Sequence, residues 1–400
     1  MIGISKLYCG TVEPSDALRY GRDSKKLPPH LLQFSKDKRP VVVWNVTKKC
    51  NLKCIHCYAH ADDENDSDEL TTQEGKELID DLADFGVPVI LFSGGEPLMR
   101  KDLPELVTYA RSKGLRAVIS TNGTLIDEKM ARRLKEIGLS YVGISIDGTM
   151  PTNDNFRAIS GAFLAAIEGL RNCQKEGIKV GLRFTINKYN MDEIPDIFDL
   201  IEAEKIPRIC FYHLVYSGRG SEMIDHDLSH EESRKTVDLI LDRTEELHKK
   251  GLPVEVLTVD NHCDGPYIYM RLLNKDPNRA EEVLELLKMN QGNSSGIGIG
   301  CISWDGSIHP DQFWRHYSFG NVRERNFSDV WKDTSDELMK GLKDRKGLIR
   351  QNADRCARCR WLDVCNANFR VRAEAVHGNL WADDPACYLT EEEISSENKS

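Results

Sequence analysis

"VVVWNVTKKCNLKCIHCYAH" occupies residues 41–60, and its reading decides the fold. The run VVVWNV (41–46) has the near-continuous apolar character of a strand buried on both faces. It leads at once into a loop carrying Cys50, Cys54 and Cys57, spaced C-x3-C-x2-C. In βα folds, ligand-bearing loops gather at the C-terminal ends of the strands. A closed metal site usually takes four protein ligands, whereas a catalytic metal keeps a position open. Three thiolates suit three irons of a cubane cluster with the fourth iron left free. Spacing alone also allows zinc or unligated thiols.

Working outward, strands and helices alternate. LTTQEGKELIDDLADFG (70–86) reads as a helix that opens on a Thr71/Glu74 capping box and stops at Gly86. VPVILF, RAVIS, YVGISI, KVGLRFTI and RICFYHL read as strands. Helices over 102–113, 127–137, 161–176 and 191–204 separate them. Such alternation means βα units around a parallel sheet. With VVVWNV this makes six strands, too few for an eight-stranded barrel, so the expectation is an open partial barrel over 41–260. Residues 1–40 read as an N-terminal arm and 261–295 as a helical linker. Residues 296–390 read as a small, loop-rich second domain that needs metal to hold together. It opens on a glycine-rich stretch with a hairpin signal at Asp305 and Gly306. The end, EEEISSENKS (391–400), reads as a disordered tail.

Polar groups recur at successive strand ends. FSGGEPLM places Gly94, Gly95 and Glu96 after the second strand. Glycines there permit close backbone approach, and Glu96 offers a carboxylate for an ammonium. STNG (Ser120, Asn122) ends the third strand, SIDG (Ser145) the fourth, and Arg183 lies on the fifth. Each is weak alone. Together, beside the cysteine loop, they are more than turns.

On CNLKCIHC, GGEP, STNG and SIDG, the sequence resembles the radical S-adenosylmethionine (SAM) superfamily. The resemblance implies a partial (β/α)6 barrel of radical SAM type. It also implies a [4Fe–4S] cluster on Cys50, Cys54 and Cys57, with SAM on the open iron. It would put Glu96 on the SAM ammonium, Ser120 and Asn122 near the ribose, and Arg183 near the carboxylate. Gly94, Gly95 and Ser145 would line the same site. The position before the third cysteine is often aromatic or apolar in the family; here it is His56, with Tyr58 after the cysteine.

A second set, Cys356, Cys359, Cys365 and Cys387, is spaced C-x2-C-x5-C-x21-C. Four ligands make a closed site, and zinc is an alternative on spacing alone. The pattern resembles the SPASM/twitch-type auxiliary domain of radical SAM enzymes, which implies a small C-terminal iron–sulfur domain. Two-cluster members carry a further cysteine where this chain has Phe369, so one auxiliary cluster is expected, and two [4Fe–4S] clusters in all. Cys9, Cys173, Cys210 and Cys263 read as structural, and Cys301 as a core thiol.

The formal net charge of −10 argues against a nucleic-acid partner. No apolar run is long enough to cross a bilayer. No secretion signal is legible at the start, so reduced thiols and a cytoplasmic, monomeric protein are expected. Local clusters of Arg, His and Tyr suggest capture of a poly-carboxylate. Arg219 and Arg315 stand out by their aromatic and glycine neighbours. His262, His309 and His316 are candidate contacts to an iron tetrapyrrole, imidazole being a usual haem ligand. RPVVVWNVTKKCNLKCIHCY, YVGISIDG and HPDQFWRHYSFGNVRER extend the resemblance to the alternative haem-pathway enzymes. This implies loss of two acetate side chains from 12,18-didecarboxysirohaem, giving Fe-coproporphyrin III, with an external low-potential electron donor. Tyr216, Tyr317 and His316 are the candidate proton donors. The competing readings are a propionate-removing sister of d-type haem biosynthesis, a radical SAM peptide modifier, and an iron–sulfur carrier or tetrapyrrole scaffold.

Overall fold

The computed structural model describes residues 1–12, 16–20, 39–63 and 68–395. The reading of 21–38 as part of an arm and of 396–400 as a tail therefore lies outside the described residues. The strands are β1 (Ile2–Gly3), β2 (Val41–Asn45), β3 (Val89–Ser93), β4 (Arg116–Thr121) and β5 (Val142–Ser145). There follow β6 (Val180–Ile186), β7 (Arg208–His213), β8 (Glu255–Val259), β9 (Ile299–Ile302) and β10 (Ile308–His309). They form one sheet in the order β1-β8-β7-β6-β5-β4-β3-β2-β9-β10. From β2 to β8 every neighbour is parallel and consecutive, the signature of repeated right-handed βα crossovers. The sheet does not close, because β1 and β10 stand at its two ends.

The six expected strands are β2 to β7. β8 was not anticipated, because EVLTV is short and begins on a charge. Glu255 is tolerated there because Arg19 lies 3.0 Å away and Arg208 3.5 Å away. The N-terminal arm is corrected where it is described. β1 pairs antiparallel with β8, and Ile2, Ile4 and Leu7 are buried. At the other edge β9 pairs parallel with β2, and β10 returns antiparallel through the Asp305–Gly306 turn. The hairpin therefore extends the main sheet and pairs an edge whose N–H and C=O groups would otherwise be open. The helix Glu391–Ser395 corrects the first half of the expected tail: Ile394 is buried and Glu393 is paired with Arg234 at 2.8 Å.

Local signals explain the helices. Thr71 and Glu74 form the capping box of the helix Thr72–Phe85, which ends on left-handed Gly86. Beyond β10 the chain makes only short helices, and the cysteine-bearing segments lie among them.

Candidate active site

The C-terminal ends of the strands and the cysteine loop enclose a cavity of about 1110 Å³, part of it open to solvent. Cys50, Cys54 and Cys57 form one wall. Gly94, Gly95, Ser120, Asn122, Ser145 and Arg183 lie at the strand ends facing them.

Gly94 and Gly95 seat the loop. Gly94 has φ +133°, and a Cβ on Gly95 would stand 2.3 Å from the Lys49 carbonyl oxygen. The Gly95 N–H donates to the Thr47 carbonyl and the Glu96 N–H to the Lys49 carbonyl, both at 2.8 Å. The closest approach these glycines permit is thus to the cysteine loop's own backbone. Glu96 is corrected. Its carboxylate is fully buried beneath the cavity wall and does not line it. It accepts from the Asn122 N–H (2.8 Å), the Leu98 N–H (3.0 Å) and the Thr121 hydroxyl (2.8 Å). Burial nonetheless pushes its pKa up to about 7. These three donors tie Glu96 to the strand-end loops.

Two expected substrate arginines also grip the loop. Arg219 donates from Nε to the Cys54 carbonyl (2.8 Å) and from Nη1 to the Ala61 carbonyl (3.0 Å). Its Nη2 is buried without a partner, and the side chain lines the cavity. Arg315 donates to the Ala59 carbonyl (2.6 Å) and stacks over Trp304, outside the cavity lining. His309 is excluded from an axial role, since both ring nitrogens are engaged, with Ser303 Oγ and the Tyr317 carbonyl. His262 is buried beside the Met1 amino group at 3.2 Å, away from the lining. His316 is a surface residue paired with Glu374 at 2.9 Å, which raises its pKa. Tyr216 donates to Asp227 and Tyr317 to Asp336, and neither lines the cavity. None of the three expected proton donors therefore faces the site.

Sequence reasoning missed several residues that do face it. Asp147 is ion-paired with Arg157, whose Nη1 lies 3.4 Å from Cys54 Sγ. His56 Nε2 sits 3.4 Å from the same carboxylate. His213 bonds Asp264 at 3.0 Å, Tyr212 accepts from Arg183 at 2.9 Å, and Asp260 follows β8. SIDG contained Asp147 and RICFYHL contained Tyr212 and His213. Their orientation depends on the pleat at the strand end.

The thiol sets fit iron–sulfur clusters. Burial pushes Cys50 up to about 12 and raises Cys54 as well, so a bound metal's charge would favour the thiolates that ligation needs. The Leu52 N–H lies 3.4 Å from Cys50 Sγ, a contact of the kind that tunes cluster sulfurs. Among the described residues no three His, Cys, Asp or Glu side chains are gathered closely enough to hold a single metal ion. Burial, with neighbouring thiols of the set adding to it, likewise raises Cys356, Cys359 and Cys365, whereas a hydrogen bond with Cys263 lowers Cys387. Asn366, Ala367 and Asn368 are all left-handed, which bends the chain sharply after Cys365.

The profile of the radical SAM superfamily matches residues 44–201, and that of an iron–sulfur cluster-binding domain (SPASM) matches 299–360. The chain is 77% identical to the Fe-coproporphyrin III synthase of Methanosarcina barkeri, over 98% of this chain and 99% of that protein. The chain belongs to the radical SAM superfamily. Its cofactors are SAM and two [4Fe–4S] clusters. It is also 40% identical to the pre-heme d1 synthase of Dinoroseobacter shibae, over 92% of this chain and 90% of that one. Streptococcus suis SuiB bound to S-adenosylmethionine shares the radical SAM fold, with a TM-score of 0.68 at 19% identity over 88% of this chain and 78% of that one.

Proposed function

We infer that this chain is a radical SAM enzyme of haem biosynthesis that removes the two acetate side chains of 12,18-didecarboxysirohaem to give Fe-coproporphyrin III. The observation that carries the reading is identity of 77% along essentially the whole of both chains with a protein of that name. The relative named for the d1 branch stands at 40%. The PqqA peptide cyclase of Granulibacter bethesdensis, a peptide-modifying relative, stands at 25%. No described helix is long and apolar enough to cross a membrane. The reading includes a cytoplasmic monomer fed by an external low-potential electron donor.

In this reading Cys50, Cys54 and Cys57 hold the reactive cluster, and Cys356, Cys359, Cys365 and Cys387 hold the auxiliary one. The bound cofactors supply a 5'-deoxyadenosyl radical for hydrogen-atom abstraction. Ser120, Asn122 and Ser145 surround SAM from the strand ends, with the Gly94–Gly95 backbone beneath it. Among the described residues, Arg183 and Arg219 have no carboxylate ion-pair partner, although both line the cavity. Carboxylates of SAM and of the tetrapyrrole would supply the missing anions, since a buried cation is costly unpaired. Phe313 and the ring of Tyr58, 5.4 Å apart, give the macrocycle an apolar wall.

The test is anaerobic turnover of the iron- and sulfide-reconstituted chain with dithionite, SAM and 12,18-didecarboxysirohaem, read by mass spectrometry. Loss of two acetate units with formation of 5'-deoxyadenosine is expected. Loss of propionate units would assign the d1 branch. An unchanged tetrapyrrole would reject the substrate.

A further inference from the structure

The cavity wall contains one carboxyl group whose chemistry is not spoken for. Asp260 directly follows β8, at the same C-terminal level as His213 on β7. It is 7% exposed, lines the cavity, and its Oδ2 is buried with no hydrogen-bond partner. Its backbone is left-handed, φ +66°, which is uncommon outside glycine and aims the side chain off the strand direction. The conformation is held from outside. Arg372, fully buried and bidentate to Asp384, donates to the Asp260 carbonyl. A strained backbone, over-determined by a buried arginine, is the kind of feature found at functional sites.

The other nearby carboxyls are committed. Asp147 is ion-paired with Arg157 and accepts from the Thr185 N–H at 2.9 Å. Glu96 is sealed beneath the wall, and Asp264 is shared by His213 and Tyr388. The tyrosines and histidine expected as donors point elsewhere.

We propose that Asp260 is the catalytic acid that delivers the proton closing the carbon radical carried off by the departing acetate unit. The inference rests on the deacetylase reading above. Once a hydrogen atom has been taken from the macrocycle, the ring–CH2 bond breaks, a ring C=C bond forms, and the released unit is quenched as •CH2COO− + e− + H⁺ → CH3COO−. A C–H bond forms, a low-potential one-electron donor supplies the electron, and the proton leaves Asp260, which becomes a carboxylate. Burial raises Asp260 to about 7, against the opposing pull of the Met1 amino group and Arg372. Asp311 adds to the rise and His213 opposes it. A general acid works best near the operating pH, and the buried Arg372 guanidinium stabilises the carboxylate it leaves behind.

The experiment compares wild type, Asp260→Asn and Asp260→Glu as cluster-loaded full chains, turned over anaerobically in D2O. 5'-Deoxyadenosine, tetrapyrrole and released two-carbon units are measured by mass spectrometry. Asn tolerates the left-handed backbone, so Asp260→Asn should fold. Absorbance titration of the tetrapyrrole onto the cofactor-free variant should match wild type. Asp260→Asn is expected to form 5'-deoxyadenosine at the wild-type rate while deacetylated product falls about a hundredfold. Asp260→Glu should recover part of the product, and the acetate released by wild type should carry solvent deuterium. Wild-type product formation by Asp260→Asn overturns the proposal. So does a parallel fall in 5'-deoxyadenosine, product and tetrapyrrole affinity, which would mark a structural residue. If wild type itself leaves the acetates in place, the substrate reading fails and takes this role with it. Failure confined to the variant comparison sinks only Asp260.

Discussion

Glu96 shows how a residue picked out by its motif can lie buried behind the cavity wall and off its lining. A carboxylate after a glycine pair at a strand end looks like a ligand to an ammonium. Its three donors instead come from the chain itself, Asn122, Leu98 and Thr121. Desolvation still outweighs them and lifts its pKa to about 7 from an ordinary 4.5. The native state therefore keeps a proton between about pH 4.5 and 7 that the unfolded chain gives up. More protons on the native side mean that stability falls as pH rises through that window. Glu96→Gln should flatten this part of the profile, and a melting-temperature series of the cofactor-free chain from pH 5 to 7.5 checks it. An equal slope in wild type and variant would show that Glu96 ionises normally. Cys54 makes the same point from the other side. The cysteine was legible from spacing, whereas the Arg157 guanidinium beside it comes from a helix a hundred residues on.

At the scale of elements, the cysteine loop is held by contacts from three directions. The Gly94–Gly95 turn supports it from below. From the side, the Arg219 N–H donates to the Cys57 carbonyl at 3.0 Å, and Gly218, at φ +56°, packs against that same carbonyl. Arg315 reaches in from the region after β10. A methyl group on Gly95 has only backbone carbonyls to meet, so the loop must move. Overpacking of this kind costs about 1–3 kcal/mol. Gly95→Ala should lower the melting temperature and leave the reconstituted chain short of one cluster's iron, while the auxiliary set still loads. Iron counting together with the visible absorbance per chain measures this. Full iron content would mean the loop adapts. The capping box of the helix Thr72–Phe85 was readable because it is local; the grip of Arg219 and Arg315 was not, because both partners are distant in sequence.

At the scale of the molecule, the single sheet ties the two halves together. β9 extends it beyond β2, and Trp331 and Phe327 pack over Gly300. The segment carrying Cys356 to Cys387 has short helices and charged side chains, so metal binding should contribute much of its order. Cys365→Ala should halve the iron per chain and expose the region after residue 340 to limited proteolysis. It should leave the parallel sheet folded by circular dichroism. Retention of full iron would reject Cys365 as a ligand.

The sequence by itself determined the strand–helix alternation, the two cysteine sets and the polar strand ends. Each of these is written in residues close along the chain, where hydrophobic period, capping and ligand spacing act. Only the tertiary structure decided that β8 and β1 extend the sheet, that Glu96 faces inward, and that His262, His309, His316, Tyr216 and Tyr317 turn away from the cavity. It also decided that Asp260 turns toward it. These outcomes depend on which partner reaches each side chain first. That is fixed by the pleat at a strand end, by a left-handed residue, and by guanidiniums brought from more than a hundred residues away.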